Sequence, residues 1–219
     1  MAKIVTSEGN PSFIQTGVPT EVIPNPPKRM GRKIEGITDD WNYRKNNRWE
    51  STFNVNAPED SHGYLPFSAN VYRLMERKES PLVDPVVSNT GDKPMEFNFV
   101  NTRTGYGPQQ NKFGVTGTGH AKEVISQASR RFVGALQKFN PPLMTYSAEE
   151  PSRASLYERL TRNLSVDNYK GYRLKIPGDD RATFAAIRQD HIGKLTPAFQ
   201  ARGIGLTSLA PEDNAPTTG

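Results

Sequence analysis

Apolar residues recur at three- and four-residue spacing from 118 to 139: Ile125, Ala128, Phe132, Leu136 and Phe139 form one stripe. That period predicts an amphipathic helix, ended by Pro141 and Pro142. A second helix is expected from about Ser152, where Leu156, Leu160 and Leu164 stand one turn apart. A third is expected from about Asp180 to Leu195, with Phe184, Ile187 and Leu195 inward.

Elsewhere the period drops to two. "NVYRLM" (70–75), "MEFNFV" (95–100) and "KGYRLKIPG" (170–178) alternate and read as strands. In the second, Phe97 and Phe99 share a face predicted to be buried, opposite Glu96 and Asn98. "SPLVDPVVSNTGDKP" between the first two reads as a loop punctuated by proline.

Residues 1–62 show neither period. Pro19, Pro24, Pro26 and Pro27 lack amide donors and favour extended backbone, so 1–62 is expected to be a basic, proline-rich arm. The rest divides into a strand and loop region (63–117), a helix-rich compact region (118–205) and a polar tail (206–219). The expected class is α+β, a small compact domain with about three helices and a few short strands. Proline at 18 of 219 residues and a mean hydropathy of -0.69 limit the size of the core.

The net charge of +5 is concentrated. Lys28, Arg29, Arg32, Lys33, Arg44, Lys45 and Arg48 face only Glu35, Asp39 and Asp40 within 28–48. Such a segment suits an acidic partner or a solvated surface. Cysteine is absent, which excludes disulfides, thiolate nucleophiles and thiolate metal sites. No stretch has the length and apolarity of a signal peptide or membrane span, so no membrane partner is expected.

"GVTGTGHAKEV" (114–124) approaches a phosphate loop. Gly114 and Gly119 have the spacing, but His120 and Ala121 stand where the lysine and hydroxyl belong. Lys122 is one residue late, hence turned by about 100° on a helix. The run therefore reads as a flexible entry to the helix, and no cofactor is expected. His62, His120 and His191 are scattered without metal-ligand spacing, so no metal is expected either. The acidic pairs of "AEEP" (148–151) and "GDDR" (178–181) read as helix caps. "NLS" at 163–165 is read as a chance match to a glycosylation signal. No local catalytic signature emerges, and the chain is expected not to be an enzyme.

"WNYRKNNRW" (41–49) carries the strongest expectation of binding. Trp41, Tyr43 and Trp49 alternate with Arg44, Lys45 and Arg48, a mixture suited to protein interfaces and to stacking on unpaired bases. The same indoles could equally bury in the chain's own core. Lys28, Arg29, Arg32 and Lys33 are candidate nucleic-acid contacts just upstream.

Together these readings predict a structural or assembly protein of a large complex, such as a phage virion component, whose arms contact neighbouring protein subunits, in a virion or the cytoplasm. A nucleic-acid-binding module and an enzyme with a noncontiguous site are the alternatives.

Overall fold

The computed structural model describes residues 34–58, 60–76, 78, 80–102, 120–148, 151–164 and 166–209. In chain order these form β1 (Asn42–Arg44), β2 (Arg48–Asn56), β3 (Tyr64–Arg73), α1 (Val83–Thr90), β4 (Met95–Asn101) and α2 (Ala121–Phe139). There follow β5 (Leu143–Ala148), α3 (Pro151–Arg162), β6 (Tyr169–Lys175), β7 (Ala182–Arg188), α4 (Gln189–Gln200) and β8 (Gly205–Ser208). All eight strands join one sheet in the order β1-β2-β3-β4-β5-β7-β6-β8. The class is α+β, with a larger sheet than a few short strands.

Each pairing is antiparallel except one. β4 and β5 run parallel and register at only two positions, Met95 with Met144 and Glu96 with Thr145. Beyond them β4 continues along β3, and β5 continues along β7. The strands part there because each keeps its ladder with an outer neighbour.

Helices cover the sheet unequally. On one face Phe132 and Leu136 of α2 and Tyr157 of α3 meet Phe53, Phe67, Val71, Phe97, Tyr146 and Phe184 in the larger apolar cluster. On the other, Val86 of α1 with Leu195 and Phe199 of α4 cover Leu143, Leu174, Ala185 and Ile187. That second layer lies over β5, β7 and β6. The same face of β2, β3 and β4 carries Glu50, Ser68, Asn70, Tyr72, Glu96 and Asn98, which strand alternation sets opposite the larger cluster.

Three expectations change. Residues 42–56, assigned to an arm over 1–62, are strands of the sheet. The alternation in "RWESTFNVN" was hidden because Ser51 takes an inward position beside Phe53 and Val55. Ser51 is inward because its hydroxyl accepts from the buried Arg131 guanidinium (3.0 Å). Second, the loop expected before residue 95 contains α1. Pro85 sits in its first turn, where no intrahelical donor is needed, and left-handed Gly91 (φ 75°) closes it by donating to the Val87 carbonyl.

Third, 182–188 is the strand β7, and the third helix begins only at Gln189. β7 is covered on both faces, so its apolar run is nearly continuous and carries no period by which to tell strand from helix. The acids of "GDDR" therefore precede a strand: Asp179 accepts from the backbone and guanidinium of Arg181 rather than capping a helix. Glu149, Glu150 and the tail from residue 210 lie outside the described residues, as do the glycine run 114–119 and residues 1–33.

Candidate active site on the polar face

The stretch expected to bind partners is a hairpin. Asn46 and Asn47 adopt positive φ (61° and 53°), a conformation asparagine tolerates better than most residues, and they turn β1 back onto β2. Trp41 is buried, donates through its indole N–H to the Ile37 carbonyl (3.2 Å), and meets Phe139 edge-on at 5.8 Å. Trp49 lies 5.0 Å from the same ring and 5.5 Å from Tyr43. Both indoles thus close the chain's own core at the end of α2. Tyr43 and Lys45 are exposed, and Arg44 pairs with Glu50 at 2.7 Å. Arg48 approaches Glu50 at 3.9 Å while its Nε is buried without a partner. Lys28, Arg29, Arg32 and Lys33 lie outside the described residues.

A different group of side chains gathers where β4 and β5 part. Glu96 projects from β4 on the polar face, in register with Thr145. It lines a cleft of about 50 Å³ with Thr145, Ser147, Asp179, Arg181 and Thr183. β5 and β7 supply the hydroxyls, Ser147 and Thr183 being bonded to each other at 2.9 Å. The turn after β6 brings Asp179 and Arg181, which pair at 2.9 Å. The cleft has room for a small polar group, not for a large cofactor.

Its electrostatics separate two carboxyls. Burial pushes Glu96 above the usual carboxylate range; Arg181 pulls it down and Asp179 pushes it up. Glu50, on the same face, is held below that range by the Ser68 hydroxyl (2.7 Å), against some desolvation, and by Arg44 and Arg48. Glu50 is held toward the anion, whereas Glu96 holds its proton more tightly than an ordinary carboxyl. Divergent carboxyls of this kind mark acid–base sites.

On the apolar face the same parting is bridged by Tyr157 of α3. Its ring lies 6.3 Å from Phe99 of β4 and 5.5 Å from Tyr146 of β5. Beyond Glu96 and Thr145 the facing edges of β4 and β5 are not in register with each other.

The histidines are not brought together. His62 is in an exposed turn with Ser61, His120 precedes α2, and His191 on α4 bonds to Arg188. Among the described residues no cluster of His, Asp and Glu could hold a metal ion, and no helix is long and apolar enough to cross a membrane. Sequence reasoning did not single out Glu96 as a candidate. Its only signal was an acidic residue on the outward face of an otherwise apolar strand, which ordinarily means solvent. No protein-family model and no curated protein matches the chain.

Proposed function

We propose that the chain is a group-transfer enzyme in which Glu96 is the general base and an amine is the acceptor. One observation carries this reading: the carboxyl raised by burial opens onto a polar cleft at the point where the sheet's parallel strands part. Glu96 is the second residue of β4 and Thr145 the third of β5, so the cleft lies at the start of the parallel pair, next to where the two strands leave register. A base operating near neutrality needs a raised carboxyl pKa, which Glu96 has.

An extended donor would lie along β4 and β5 where the two strands leave register beyond Glu96 and Thr145. α2 follows β4 in the chain, and its N-terminal dipole would draw an anionic end of that donor in competition with Glu123 of its own first turn. An acyl thioester carried on an amide-bearing, phosphate-ended arm combines these features. In the reaction Glu96 takes a proton from the acceptor ammonium. The freed nitrogen attacks the acyl carbon, a C–N bond replaces the C–S bond, and the proton that the nitrogen sheds on becoming an amide passes to the leaving thiolate.

An assembly role, in a virion or another complex, remains a proposal of the composition of residues 1–33. The two tryptophans no longer support it, since the chain uses them in its own core. Differential scanning fluorimetry with acetyl-coenzyme A tests donor binding. A saturable rise in melting temperature supports the reading, and no rise at millimolar ligand counts against it.

A further inference from the structure

β3 and β4 set Asn70 directly opposite Asn98. Asn70 is wholly enclosed; its Nδ2 donates to the Ser68 carbonyl (3.4 Å), while its Oδ1 is buried without a partner. The Oδ1 of Asn98 is buried and unpartnered as well. Buried carbonyl oxygens are rarely left in this state, because each forfeits its hydrogen bonds to water with no return. Two of them stand side by side on one strand pair, and the Nε atoms of Arg48 and Arg73 on the neighbouring strand positions are buried without partners too.

The position of the two asparagine oxygens gives them a use. Cross-strand partners point to the same face, so Asn70 and Asn98 stand together beside Glu50, the partner of Asn70 on β2. Glu96 is the next residue of β4 on that face. Arg48 reaches the same patch through Glu50, and its Nε is a buried donor without a partner. The unsatisfied groups on that face are therefore two acceptors and one donor within a step or two of the base. An amide has the complementary set: N–H groups for the asparagine oxygens and a carbonyl for the guanidinium.

Resting on the reading of Glu96 as base, we infer that Asn70, Asn98 and Arg48 form a subsite for an amide group of the acceptor. The acceptor is then an aminoacyl compound, with its amino group at Glu96 and the adjacent peptide unit on the asparagines. Solvated surface amines lacking that amide are excluded because they leave the three groups unsatisfied.

Two probes of similar size separate the cases: glycinamide, which has the amide, and n-propylamine, which does not. Glycinamide at saturating concentration raises the melting temperature of the full chain by about 2–4 °C, and n-propylamine leaves it unchanged. Asn98→Leu removes one orphan oxygen, so this variant melts at or above the wild-type temperature and loses the glycinamide shift. Glu96→Gln keeps the shift. The inference is overturned if glycinamide gives no shift, if n-propylamine matches it, or if Asn98→Leu retains it. Melting of Asn98→Leu well below wild type also overturns it, because the asparagine is then structural. Transfer that is absent in the wild type, or unchanged in Glu96→Gln, alongside an intact, amide-selective shift counts against Glu96 alone. Transfer that depends on Glu96 but ignores the amide counts against this subsite alone.

Discussion

Glu96 and Thr145 face each other across the last registered step of the parallel pair, and beyond them β4 and β5 follow different neighbours. That relationship explains why a carboxyl sits half-buried at the middle of a sheet. The parted strands leave a cleft that a small polar ligand can enter, lined also by Ser80, Pro81 and Leu82 ahead of α1 and by the turn after β6. The group is neither solvated nor paired in the ordinary way, and its proton affinity rises accordingly.

This has a consequence for stability. The pKa of Glu96 is raised on folding, so between the unfolded and folded values the native chain holds a proton that the unfolded chain has lost. Stability therefore falls as pH rises through that window, and the penalty persists above it. Glu96→Gln is expected to be more stable than the wild type at neutral pH and equal to it below about pH 4. Chemical denaturation at both pH values checks the expectation.

Arg181 lowers the Glu96 pKa and also holds Asp179, whose charge raises it. Arg181→Ala removes the favourable cation and frees the anion, and both changes act in one direction. The pH profile of any Glu96-dependent rate is expected to move to higher pH in this variant, measured as initial rate against pH. A move to lower pH would show that the cleft's charges are misassigned.

Trp41 and Tyr43 should behave oppositely. Trp41 is buried against Phe139, so Trp41→Ala is expected to cost about 3–5 kcal/mol of folding stability. Tyr43 is 62% exposed, and Tyr43→Ala is expected to change stability by no more than about 0.5 kcal/mol beyond its loss of contact with Trp49. Urea denaturation of the two variants distinguishes a core indole from an interface indole.

The segment before β1 crosses α2 at a close approach. Ile37 donates to the Arg130 carbonyl (3.0 Å), and a Cβ on Gly134 would fall 1.9 Å from the Ile37 carbonyl oxygen. Gly36 stands against the same turn of helix, 2.8 Å from the Gly134 Cα by the same measure. Gly134→Ala raises helix propensity yet must push the strap away, so it is expected to destabilise by about 1–3 kcal/mol. A thermal melt at or above that of the wild type would contradict the crossing.

What could be read from the chain alone follows from how each element is covered. α2 has one apolar stripe against one face, and its period is plain from Ile125 to Phe139. β4 alternates because Phe97 and Phe99 meet helices while Glu96 and Asn98 do not. β7, buried on both sides, lost its period, and β2 hid its own behind Ser51. The site was harder still. Glu96 is one acid among 23 acidic residues, and what distinguishes it is the parting of two strands separated by the 41 residues between Asn101 and Leu143. No local pattern encodes that parting. The tryptophans stayed ambiguous for the complementary reason: their sequence neighbours are basic, but their spatial neighbour is Phe139.

The most direct measurement is thiol release from acetyl-coenzyme A as a function of pH, with a short peptide bearing a free amino end as acceptor. The chain has no cysteine, so a chromogenic thiol reagent reads the product without background from the protein. The wild-type rate is expected to rise between about pH 5 and 9 through a pKa above the ordinary glutamate value and then level off. Glu96→Gln is expected to be slower by about 100-fold or more across that range, with its folded state intact by circular dichroism. A Glu96→Gln rate within a few-fold of wild type, or a wild-type enzyme that releases no thiol at any pH, would contradict the assignment of Glu96 as the base of a group-transfer enzyme.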